Sequence, residues 1–134
     1  MSLYLDTSAL LKRYLEEPDS DRFDAILRSD PVWVTAAITL VEVRRNLTRL
    51  LKGSDLSIAR EQFGHDWDRC HVVELDHFLC VTAAEIAELT LARSLDALHL
   101  AAIQRAGSGA LPLVTADLRQ AQAARALGWT TLGC

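Results

Sequence analysis

Short apolar runs alternate along this chain with longer stretches of helical periodicity, and that alternation narrows the fold more than any other feature. SLYLD (2–6), VWVT (32–35), HVVEL (71–75), PLVT (112–115) and WTTL (129–132) are rich in aliphatic, β-branched or aromatic residues and read as strands. Residues 8–16 have helical spacing and end before Pro18; 19–29 open with acids and place Phe23, Ile26 and Leu27 on one face. A long helix is predicted over 36–52, stopped by Gly53, and another, capped by Ser54 or Asp55, runs to about Arg69. Further helices are predicted over 77–92, from Ser94 to Gly107, and from Asp117 to Gly128. Strands joined by helical crossovers form parallel sheets covered on both faces. The expected fold is therefore α/β, a three-layer α/β/α sandwich with a central parallel sheet of about five strands.

Half of the 134 residues are hydrophobic, enough for a single core, so residues 1–134 are expected to form one domain. The net charge of −4 excludes a global basic footprint for nucleic acid but leaves room for a local strip. Cys70, Cys80 and Cys134 form no CxxC, and an odd count argues against a disulfide framework. A reducing cytoplasm is the expected compartment. No leader pattern and no apolar run of the ~18 residues that cross a bilayer is present, so no membrane association is expected. His65, His71, His77 and His99 lack zinc-ligand spacing.

Four acids stand out. Asp6 follows the first strand, Asp117 follows a later one, Asp96 lies in a first helical turn, and Glu42 sits mid-helix between Val41 and Val43. Each has an ordinary role: Asp6 and Asp117 as helix caps, Asp96 as a favourable charge at a helix N-terminus, Glu42 as a surface partner of Arg45. Together they are less ordinary. Ligands bind beyond the carboxyl ends of strands in such sheets, and Asp6 and Asp117 project from that edge. Two carboxylates ~5 Å apart at an effective dielectric of ~20 repel by about 3 kcal/mol, so such a cluster needs protons or a cation. Oxygen-only, carboxylate-rich ligation suits Mg²⁺ or Mn²⁺ rather than zinc. Thr7, Ser8 and Thr115 are supporting hydroxyls, for bound waters or for a carboxylate.

The segments LDTSALLKRYLEEPDSD, AAITLVEVRRNL, SLDALHLAAI and PLVTADLRQAQAARALG, in this order, resemble the PIN-domain family and specifically its VapC-type toxin ribonucleases. The resemblance covers essentially the whole chain. It implies a catalytic quartet at Asp6, Glu42, Asp96 and Asp117, with Asp6, Asp96 and Asp117 as metal ligands. It also implies a metal-dependent endoribonuclease cutting RNA, a homodimer, and a cognate antitoxin protein as partner.

RNA approaching an acidic pocket needs positive charge beside it. Arg44, Arg45, Arg49 and Lys52 on the Glu42 helix, with Lys12 and Arg13 near Asp6, are the expected sources; a solvated helix face is the ordinary alternative. His99, one turn beyond Asp96, is read as a packing residue rather than a base; Trp33 and Trp129 as core; Trp67 as marking a partner surface. Two other classes compete. An aspartate-based phosphotransfer protein needs a second acid where Ser8 stands, or a lysine that ALPLVTADLR lacks. A non-catalytic PIN-fold binding module would use the acids only as caps or structure.

Overall fold

The computed structural model describes residues 2–134, and its order of elements follows the sequence pattern. Five strands, β1 (Leu3–Leu5), β2 (Trp33–Ala36), β3 (His71–Val73), β4 (Leu113–Val114) and β5 (Thr131–Leu132), form one sheet in the order β3-β2-β1-β4-β5, parallel throughout. The helices are α1 (Thr7–Leu11), α2 (Ser20–Arg28), α3 (Ile38–Leu50), α4 (Gly53–Arg69), α5 (His77–Thr90), α6 (Ser94–Ala106) and α7 (Leu118–Ala126). The chain builds outward from β1 through β2 to β3, then returns to the other side of β1 with β4. The crevice beyond the carboxyl ends of β1 and β4 is thus the topological switch point, where α/β sheets place their ligands.

Alternation along the strands divides the core in two. Leu3 and Leu5 pack with Leu10, Phe23, Leu27, Val43, Leu47 and Phe63 in the α1–α4 layer. Tyr4, between them in sequence, faces the opposite layer with Leu79, Ile86, Leu100 and Ile103 of α5 and α6. Trp33 is buried as expected, whereas Trp129 is only half-buried against the α5–α7 layer. Among the described residues, no helix is long and apolar enough to cross a membrane. Cys70, Cys80 and Cys134 are free.

Several boundaries differ from the sequence expectation. The first helix is short, ending as an α-helix at Leu11 rather than running to residue 16. Gly53 does not stop α3. Leu51 and Lys52 are already extended, and Gly53, at φ +59°, is the first residue of α4. Lys52 occupies the N-cap position and no side chain caps the helix, so neither Ser54 nor Asp55 does. The chain end carries a stricter glycine. Gly133 sits at φ +94°, and a Cβ there would lie 2.5 Å from the Phe23 ring and 2.7 Å from the Thr115 carbonyl oxygen.

Candidate active site

The switch-point crevice holds a basin of about 420 Å³, and all four sequence-predicted acids line it. Asp6 is placed there by β1, Glu42 by α3, Asp96 by the first turn of α6, and Asp117 by the start of α7. Asn46, Arg93, Ser94, Leu95 and His99 complete much of the wall.

Asp6 is buried at the mouth of β1, 4% exposed, and both its oxygens are engaged. Oδ1 caps α1 by accepting from the Ala9 amide at 3.0 Å and takes a second bond from Ser8 Oγ at 2.7 Å. Oδ2 accepts from Thr115 Oγ1 at 2.5 Å. Burial raises the Asp6 pKa above its ordinary value, against the opposing pull of His99 and of these donors. Ser8 and Thr115 are themselves fixed: Ser8 Oγ accepts from the Ala116 amide, and Thr115 Oγ1 from the Asp117 amide. Two of the supporting hydroxyls expected from sequence, Ser8 and Thr115, therefore hold the Asp6 carboxylate, while Thr7 bonds Glu42 instead.

Glu42 is not a surface partner of Arg45. Its Oε1 accepts from Thr7 Oγ1 at 2.8 Å and from His99 Nε2 at 2.9 Å. Burial pushes its pKa upward, but the His99 and Thr7 bonds outweigh that and hold Glu42 below its ordinary value. Behind it, Tyr4 Oη stands 2.8 Å from His99 Nδ1. Burial, with Asp6 and Glu42 nearby, raises the Tyr4 pKa, so the phenol keeps its proton. Ionised Glu42 offers only acceptor oxygens, so His99 Nε2 is the donor in the bond they share. The histidine read as packing is buried, yet it is a bonded link between core and basin.

Asp96 and Asp117 are joined by one cation. Arg93 Nε lies 3.0 Å from Asp96 Oδ2, and its Nη2 lies 3.1 Å from Asp117 Oδ2. Asp117 Oδ1 also caps α7 through the Arg119 amide at 2.9 Å. As placed, no three His, Cys, Asp or Glu side chains among the described residues form a closed metal-ligand group. Two carboxylates share a cation, while the third and fourth are turned onto hydroxyls and His99.

The positive residues singled out from sequence lie elsewhere. Arg45 and Lys52 are outside the basin lining, and Arg49 donates from α3 to Asn46 Oδ1 at its margin. Arg44 borders a separate cleft between α3 and α4, with Trp67. Lys12 pairs with Glu17 and Asp19. Arg13 is bound by Asp66 through Nε at 2.7 Å and Nη2 at 3.2 Å, and lies over the Trp33 ring. The basin's own cation is Arg93, which the sequence reading passed over. Its place three residues before Asp96, on the same side of the first α6 turn, was the available signal.

Comparison with known proteins agrees with this geometry. A family model described as "PIN domain" matches residues 3–126. Two relatives from Mycobacterium tuberculosis span nearly the whole chain. Ribonuclease VapC46 (strain ATCC 25618 / H37Rv) is 34% identical over 132 residues, covering 98% of this chain and 96% of the relative. Ribonuclease VapC35 (strain CDC 1551 / Oshkosh) is 39% identical over 129 residues, covering 93% and 91%. The fold is also that of a chain in a toxin–antitoxin complex from Klebsiella pneumoniae, with a TM-score of 0.66, 15% identity and 86% of each chain covered. With the parallel sheet, the four acids at its switch point and these matches, the chain belongs to the PIN-domain family.

Proposed function

We propose that this protein is a divalent-metal-dependent endoribonuclease that hydrolyses RNA phosphodiester bonds as the toxin of a toxin–antitoxin pair in the cytoplasm. The observation that carries the reading is the convergence of Asp6, Glu42, Asp96 and Asp117, from four separate elements, on one basin. The two ribonuclease relatives support RNA as the substrate.

The donor set fits Mg²⁺ or Mn²⁺. It is all oxygen and rich in carboxylate, and the way Asp96 and Asp117 already close on one cation indicates that the basin favours positive charge. Asp96 and Asp117 would hold the ion, with Asp6 as third ligand directly or through water. When bound, the ion supplies an ionised water near neutral pH and charge to polarise a phosphoryl oxygen. The chain does the rest. Ser8 and Thr115 fix the direction of the Asp6 carboxylate. Thr7 and His99 keep Glu42 ionised and oriented, so that it would order water or hold a second ion. Attack by water predicts 5′-phosphate ends without participation of the 2′-OH.

A cognate antitoxin is the proposed partner, supported by the toxin–antitoxin complex with this fold. Tyr14, Leu15, Leu50 and Ile58 line a groove between the α1 end and the α3–α4 pair, suited to an amphipathic partner helix. A homodimer is proposed from the family resemblance.

The phosphotransfer alternative is disfavoured because Ser8 stands where a dehalogenase-type second acid would be and ALPLVTADLR, around β4, carries no lysine. Incubating the purified chain with single-stranded RNA, with Mg²⁺ or with EDTA, tests the proposal. Cleavage is expected with Mg²⁺, loss with EDTA, and loss in Asp6→Asn and Asp96→Asn. Full activity in those variants would overturn the site; no cleavage of any RNA would favour the binding-module alternative.

A further inference from the structure

Arg93 is the only cationic side chain lining the candidate site among the described residues, and it stands between two cavities. On one side is the acidic basin. On the other is a cleft of about 380 Å³ lined by Thr90, Arg93, Asp96, Arg119 and Gln122. Arg93 and Asp96 border both.

The backbone that presents Arg93 is fixed, and its side chain reaches out from it largely exposed. Leu91 ends α5 at φ +59°, the only non-glycine residue with positive φ among those described. A branched residue held there carries strain, a feature that concentrates at functional sites. The turn it makes brings Arg93 to the N-cap of α6, where its carbonyl oxygen accepts from the Ala97 amide at 2.8 Å. The guanidinium stem, however, is 61% exposed, so rotating it disturbs no packed core. Its contacts are with Asp96 Oδ2 and Asp117 Oδ2, two of the carboxylates a divalent ion would need.

Resting on the metal-dependent reading above, we propose that Arg93 is a two-position cation. Turned into the basin, it competes with the divalent ion for the Asp96 and Asp117 oxygens. Turned into the neighbouring cleft beside Arg119, it binds an RNA backbone phosphate next to the one being cut. An ion arriving between the two aspartates frees the guanidinium for the strand, and a phosphate that captures the guanidinium opens the carboxylates to the ion. The two ligands therefore bind with positive coupling, which linkage makes reciprocal. Arginine suits this exchange, because one planar fork matches carboxylate and phosphate alike.

The test measures Mn²⁺ affinity by electron paramagnetic resonance for the wild type and Arg93→Gln, without RNA and with a fully phosphorothioate single-stranded RNA. Arg93→Gln is expected to bind Mn²⁺ alone roughly thirtyfold more tightly, the factor that removing one unit charge ~4 Å from a dication gives in water. The RNA should raise Mn²⁺ affinity in the wild type and leave it unchanged in Arg93→Gln. Arg119→Gln should weaken RNA binding and leave Mn²⁺ affinity alone. Unchanged or weaker Mn²⁺ binding by Arg93→Gln would overturn the inference and leave the nuclease reading standing. Absence of Mn²⁺ binding in both proteins would overturn the metal-dependent reading, and the inference with it.

Discussion

His99 Nε2 lies 2.9 Å from Glu42 Oε1, and the other ring nitrogen of His99 lies 2.8 Å from the phenol of Tyr4. A residue in the middle of β1 thereby holds the ring of a histidine on α6, which in turn orients a glutamate on α3. The three elements belong to different layers, and the hydrogen bonds join them at the rim of the basin.

This chain predicts a graded effect on catalysis. His99→Leu should lower kcat about 10- to 100-fold, the usual cost of losing a bond that orients a metal-site group. Tyr4→Phe should cost less, because Nε2 can still reach Glu42 in one of two tautomers. His99→Gln restores a donor and should recover part of kcat, with KM little changed. Equal losses in His99→Leu and His99→Gln, tracking loss of folded protein in circular dichroism, would reduce His99 to a packing residue.

Buried Asp6 predicts a trade between stability and function. Its carboxylate is desolvated, so Asp6→Asn should melt no lower than the wild type in EDTA while preserving the cap on α1. Adding Mn²⁺ should raise the wild-type melting temperature by ligand linkage and leave Asp6→Asn nearly unmoved. Equal Mn²⁺ shifts in the two proteins would remove Asp6 from the ion site.

Asp66 is 4% exposed and takes both Arg13 and the Tyr14 hydroxyl, the last at 2.7 Å. Asp66→Ala should destabilise the fold by about 3 kcal/mol in urea denaturation, because the partly buried guanidinium keeps only the longer 3.4 Å contact to Asp24 and the Tyr14 hydroxyl loses its acceptor. A loss below about 1 kcal/mol would place this pair with weak surface bridges.

Acid sensitivity should depend on Asp76, at the start of α5. It caps that helix through the Leu79 amide and forms a forked pair with Arg105 of α6 at 2.8 and 2.9 Å. The Arg105 bond holds its pKa at about 2, below the ordinary 3.8. A depressed folded-state pKa contributes stability above the unfolded value and loses it as pH falls through the folded one. Asp76→Asn should therefore be less stable than the wild type at pH 6, with the gap closing between about pH 4 and pH 2. A gap that stays constant over that range would assign the loss to the cap alone.

The sheet was legible because short strand runs and helical periodicity are local properties, readable within a few residues. The four acids were legible for a related reason: three of them sit at element starts, which sequence marks well. What surrounds them was not. Arg13 looked like a phosphate contact until Asp66, 53 residues away, was seen to hold it. Tyr4 and His99 are 95 residues apart, and no periodicity connects them. The sequence placed Arg44, Arg45, Arg49 and Lys52 on the Glu42 helix but could not say which charges face the basin. Gly53 shows the same limit on a small scale, since a glycine between two helical patterns fits either the end of one or the start of the next.

Crystals soaked in Mn²⁺ and measured at the manganese absorption edge test the central claim most directly. The account predicts an anomalous peak between Asp96 and Asp117, within reach of Asp6 and Glu42, and its loss in Asp96→Asn. A peak at another surface, or none at millimolar Mn²⁺ while the protein still cuts RNA, would contradict it.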